Sequence, residues 1–242
     1  MSDLQPADTP VILIWGGTAT GKSSLAAAAL FDPKSELPSL DRGRTASSAN
    51  AAGLSRIWQG LSEGRPTAPT VNDEVSVTLY RNRSTPVLLK DVRGGLVDFV
   101  SDEPTERLLR SAAVILFIMD FHSRDAIRQL RAINPVWNLC ADIPKGLVFT
   151  KCELHLDRDH DAWEKKPSWW QDFQQLRALG SHIERFGDAV FPTSVYGYHP
   201  ESKFPAFTLG EFGELRPMNI RPREVTRPFA WALSQIDAHD PA

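Results

Sequence analysis

Apolar residues along the chain fall into short unbroken runs separated by segments of helical period. Val11-Ile-Leu-Ile14, Ala112–Met119 and Gly146-Leu-Val-Phe-Thr150 are runs of strand length without polar alternation, as expected of strands covered on both faces. Val75, Val77 and Leu79 instead alternate with Ser76, Thr78 and Tyr80, and Arg81-Asn-Arg-Ser84 leads on into Thr85–Asp91. That pattern predicts a hairpin. Asp188-Ala-Val-Phe191 reads as a last short strand.

Between these runs the period changes. Ser23–Phe31, with four consecutive alanines, is a strong helix former stopped by Asp32-Pro33. Leu54, Ile57, Trp58 and Leu61 recur at i, i+3, i+4, i+7, marking an amphipathic helix. Weaker helical spacing covers Glu103–Arg110. Ser123–Ile133, a segment carrying Trp170, Phe173, Leu176 and Ile183, and a final one carrying Phe229, Ala232 and Ile236 complete the helices. The order β-α-β-β-α-β-α-β-α-β-α predicts an α/β fold with a mostly parallel six-stranded sheet, helices on both faces and one antiparallel edge strand. Residues 1–9 read as a disordered tail and 10–242 as a single domain. Insertions fall near 34–66 and 155–168, and a C-terminal extension covers about 198–242, Pro/Gly-rich from Tyr198 to about Pro222.

A net charge of -3 gives no global attraction to nucleic acid or acidic lipid. Cys140 and Cys152 both flank apolar segments and read as buried reduced thiols. The chain opens without a basic, then apolar, leader. Ser2 and the C-terminal Asp-Ala-His-Asp-Pro-Ala match no lipidation motif. A cytoplasmic protein with no membrane anchor is the expectation.

Chemistry concentrates where the first strand meets the first helix. Gly16-Gly-Thr-Ala-Thr-Gly21-Lys22-Ser23 satisfies G-x-x-x-x-G-K-[ST]. A random chain of this length shows the pattern roughly once in a hundred. Glycines let the backbone curl so that successive N–H groups point at phosphate oxygens, and the helix N-terminus adds its dipole. The cradle runs through Gly17, Thr18, Ala19, Thr20, Gly21, Lys22, Ser23 and Ser24. In this P-loop, Lys22 reaches the β- and γ-phosphates and Ser23 takes one place around Mg²⁺. Asp91-Val-Arg-Gly94 ends the second hairpin strand. There Asp91 can hold Mg²⁺ through water and Gly94 can turn its N–H to a γ-phosphate.

With these motifs in this order, the chain resembles the Ras-like, translation-factor-related class of P-loop GTPases over most of residues 10–197. The resemblance implies a three-layer P-loop sandwich, GTP and GDP as ligands, and Mg²⁺. It places the switch threonine at Thr70 or Thr67, with Thr70 preferred for its distance from Asp91. It places base recognition on Thr150-Lys151-Cys152-Glu153 and the loop after the last strand on Thr193-Ser194-Val195. Met218-Asn-Ile220 followed by Arg227-Pro-Phe-Ala-Trp231 also resembles bacterial GTPase-like proteins of the double-GTPase group.

Three departures bear on mechanism. Glu153 stands where the family has Asp, and offers the same bidentate acceptor on a longer stem. Gly95 stands where many small GTPases have a water-orienting Gln, and Thr18 where Ras-like proteins have Gly. Slow intrinsic hydrolysis follows, rescued by Arg93 or by an Arg or Asn from a protein partner. The leading expectation is thus a GTP-dependent switch that engages protein effectors and no nucleic acid. The alternatives are an ATP-using small-molecule kinase and a nucleotide-loaded scaffold with negligible hydrolysis. The cluster His155, Asp157, Asp159, His160, Asp161 has no metal spacing and reads as a solvated loop. Trp163, Trp169 and Trp170 read as core or as a partner patch.

Overall fold

The computed structural model describes residues 9–37, 41, 45, 51–65, 74–81, 85–92, 102–121, 126–154, 169–197, 206–209, 211, 215–218 and 220–239. Its elements run β1 (Val11–Trp15), α1 (Lys22–Phe31), α2 (Ala51–Ser62), β2 (Glu74–Arg81), β3 (Thr85–Val92), α3 (Glu103–Arg110), β4 (Val114–Asp120) and α4 (Ala126–Leu139). They continue with β5 (Lys145–Thr150), α5 (Gln174–Arg177), α6 (Gly180–Glu184), β6 (Val190–Pro192), β7 (Phe207–Leu209), β8 (Leu215–Pro217) and α7 (Arg227–His239).

Strands one to six form one sheet in the order β2-β3-β1-β4-β5-β6. The five from β3 to β6 are parallel, and β2 is the antiparallel edge, paired with β3 from Glu74↔Val92 to Arg81↔Thr85. The α/β architecture with one antiparallel edge strand is therefore as the hydrophobic pattern implies.

Unbroken apolar runs follow from burial on both faces. Ile12, Ile14, Leu116, Ile118 and Val148 face a core shared with α1, α2 and α7. Leu13, Trp15, Phe117, Met119 and Phe149 face the opposite core with α3, α4 and the Trp169–Ile183 segment. Among the described residues no helix is long and apolar enough to cross a membrane.

Three local expectations are corrected. The helix read as ending at Ile133 continues through Pro135 to Leu139. Proline costs the helix a hydrogen bond, but Val136 and Cys140 beyond it are buried against the sheet. The helix expected from Trp170 to Ile183 is broken into a 3₁₀ turn (Trp169–Asp172), α5 and α6, with Phe173 extended at φ -105°, ψ 121°. Trp169 and Trp170 are both buried, at 2% and 5% exposure, and adjacent residues on a continuous helix point about 100° apart. The break lets Trp169 and Phe173 both meet Phe121, at ring separations of 6.1 and 5.2 Å. These two tryptophans are thus core rather than partner surface; Trp163 lies outside the described residues, as does 155–168 as a whole. Finally, the C-terminal extension carries a two-stranded pairing, β7 with β8, that the Pro/Gly-rich reading missed.

Candidate functional site

Strand β1 delivers the chain into the loop at Gly16, which is buried beneath β4: a Cβ there would lie 2.4 Å from the Ile118 carbonyl oxygen. No other residue fits that passage. The loop then turns on two left-handed positions, Ala19 (φ 60°) and Gly21 (φ 86°), the latter capping α1. Thr18 and Ala19 are exposed at its tip, Gly17 is half-buried, and Ser24 sits half-buried in the first turn of α1. Buried Thr20 donates its hydroxyl to Gly17 O at 3.0 Å.

Lys22 folds back over the loop, its Nζ donating to Gly16 O at 2.8 Å and Gly17 O at 2.7 Å. Burial lowers its pKa, and the charge of Asp91 opposes that shift. Asp91 lies at the carboxyl end of β3, in register with Ile14 of β1. Ser23 Oγ donates to Asp91 Oδ2. Burial raises the Asp91 pKa against the pull of Ser23 and Lys22. An ammonium and a hydroxyl from the first turn of α1 and a carboxylate from the end of β3 thereby converge beside the loop.

Opposite them, the end of β5 grips the loop backbone. Thr150 Oγ1 approaches Thr20 O at 2.5 Å and Met119 O at 3.1 Å. Lys151, itself left-handed at φ 59°, donates to Ala19 O at 2.9 Å and pairs with Asp120 Oδ2 at 2.6 Å. Non-glycine residues are uncommon in this backbone region. Two of them face each other through one hydrogen bond. The 3₁₀ turn Cys152–Leu154 next brings in Glu153, 3% exposed. Burial pushes its carboxyl up to about 7, against the Ser194 hydrogen bond, its own backbone N–H and Lys151. Ser194 and Val195, after β6, are both buried. Neighbouring Thr193 donates its hydroxyl to Phe149 O at 2.9 Å. Cys140 and Cys152 are free buried thiols raised by burial, which keeps both protonated and unreactive.

The structure therefore gathers the loop Gly17–Ser24, Asp91, Thr150, Lys151, Glu153 and Ser194 at the carboxyl ends of β1, β3, β5 and β6. That is where ligands bind in open α/β sheets. Thr70 and Thr67, Arg93, Gly94 and Gly95 lie outside the described residues, as does the cluster at 155–161. The sequence reading missed Asp120. It stopped that strand at Met119, although an acidic residue ending a buried strand is itself a signal.

For a cation, Ser23 Oγ and the Asp91 carboxylate supply hard oxygen donors, which fit Mg²⁺ and not a soft metal. They are few: among the described residues no three His, Cys, Asp or Glu side chains gather. Mg²⁺ keeps several waters and completes its shell with phosphate oxygens, so two protein donors suffice.

No protein-family model matches the chain, and a search of curated proteins finds no similar sequence.

Proposed function

We propose that the chain is a P-loop GTPase of the Ras-like class, a three-layer sandwich that binds GTP and GDP with Mg²⁺. In this reading it hydrolyses GTP slowly and engages protein partners according to the nucleotide it holds. The observation that carries the reading is the double grip on the loop. Ser23 meets Asp91 on one side, while Thr150 and Lys151 hold the Thr20 and Ala19 carbonyls on the other. A glycine turn that bound nothing would need neither. In this reading the grip holds the loop backbone ready for an anion before one binds, which is preorganisation.

Within that frame each residue has a task. Lys22 is held at the loop mouth as a positive charge for the β- and γ-phosphates. Ser23 and Asp91 would hold Mg²⁺, which supplies charge neutralisation between the phosphates. Glu153, ionised, accepts the N1–H and exocyclic amine of guanine, with Ser194 orienting it. Thr70, Gly94 and Arg93 are proposed to complete the γ-phosphate side, gripping it before hydrolysis and relaxing after. Thr18, exposed at the loop tip, stands where an activating arginine would enter, in keeping with slow turnover.

Lys22→Ala tests the assignment: GDP binding should vanish while the melting transition stays cooperative. Retained GDP affinity in a folded variant would remove the loop from nucleotide binding.

A further inference from the structure

The chain does not leave the site after β6. Arg221–Arg223, returning from farther along the chain, pair with the very loop that carries Ser194. Arg223 N–H donates to Ser194 O at 2.8 Å, Ser194 N–H to Arg223 O at 3.1 Å, and Arg221 N–H to Tyr196 O at 2.8 Å. Gly197 is left-handed at φ +68°, and a Cβ there would lie 1.9 Å from Arg221 O. Only glycine permits this approach.

One side chain links the pairing to Glu153. Ser194 Oγ accepts the Gly197 N–H at 2.7 Å. A backbone N–H can only donate, so the hydroxyl proton is left for the Glu153 carboxyl, with which Ser194 is hydrogen-bonded. The same relay leads outward. Gly197 O accepts from Ala206 N–H and Ala206 O from Met218 N–H, each at 2.8 Å. Met218 is the one large apolar side chain exposed among the described residues, at 46%.

We infer that the returning segment Arg221–Arg223 is a working part of the base site: it positions Ser194, which orients Glu153, so that the segment and a bound guanine stabilise each other. This rests on Glu153 being the base-recognising carboxyl. Gly197 and the Arg223 backbone are positioning groups, acting through Ser194 without touching the nucleotide. Coupling of this kind is reciprocal. A protein that draws the returning segment away therefore lowers guanine affinity by the factor with which guanine holds the segment in place.

The test separates base from phosphate binding. In Gly197→Ala, with the loop Gly16–Ser23 untouched, GDP affinity should fall roughly tenfold, the weight of a hydrogen bond to a charged group. ADP affinity should hold, narrowing the GDP-over-ADP preference. A second readout needs no variant: hydrogen exchange at the Gly197, Arg221 and Arg223 amides of the intact chain should slow when GDP is added. GDP binding that leaves both those amides and the variant's preference unchanged overturns the coupling alone. A chain that binds no GDP overturns the proposed function as well.

Discussion

Glu153 is the residue on which the account is most exposed. Its carboxyl sits at about 7 against an ordinary 4.5, chiefly through burial. Between those values the folded chain keeps a proton that the unfolded chain has released. The stability this group contributes is complete below pH 4.5 and is lost as pH rises through 7, by about 3 kcal/mol at 1.36 kcal/mol per unit. Denaturant unfolding from about pH 5 to pH 8 should show that decline in the wild type, and a flatter profile in Glu153→Gln. Guanine recognition needs the ionised form, so the same proton works against ligand. GDP affinity should climb about tenfold per pH unit below 7 and level off above it. A GDP affinity flat across this range would mean that Glu153 does not meet the base. Asp91 carries the same physics on the proposed phosphate side, its carboxyl raised by burial and drawn back by Ser23 and Lys22. A bound cation would favour its ionised form.

At the scale of elements, the site is a junction between the end of β5 and the turn from β1 into α1. Thr150 joins them through one hydroxyl. Thr150→Val keeps the shape and removes the donor, leaving the Thr20 carbonyl without it; losses of this kind cost about 1–3 kcal/mol. Because Thr150 acts on the loop and not on the base, GDP and ADP affinities should fall together. A loss confined to GDP would place Thr150 at the base instead. The loop Gly16–Ser23 was legible in the sequence because glycine spacing, a preceding apolar strand and a following helix agree within Val11–Phe31. Asp91 was legible because the alternation of β2 marked a hairpin that had to end beside β1. The Asp120–Lys151 pair was not, since Lys151 follows the end of a different strand, β5, and no spacing announces the pair. The breaks around Phe173 were hidden for a similar reason: Trp170, Phe173 and Leu176 keep a helical period, while the core around Phe121 and Phe149 takes the rings one by one.

Across the whole molecule, the sheet was readable because β1, β4 and β5 each carry an unbroken apolar run (Val11–Trp15, Val114–Met119 and Leu147–Phe149), which burial between two helical layers requires. The C-terminal extension was not. Its strands are three residues each, too short for a period. Its pairing with Ser194 and Tyr196 spans more than twenty residues of intervening chain, and only Gly197 hints at the close approach. That extension makes the loop carrying Ser194 and the β7–β8 pairing parts of one hydrogen-bonded arrangement, which suits the proposed coupling between base site and partner. Everything proposed for the chain depends on guanine nucleotides binding at this junction. Titrating the purified chain with GDP, GTP, ADP and ATP, with and without Mg²⁺, tests it most directly. GDP and GTP should bind tightly, less so when Mg²⁺ is removed, with ADP and ATP far weaker. Preference for ATP, or indifference to the base, would contradict it, reducing Thr150–Glu153 to a strand end and bringing the small-molecule kinase forward.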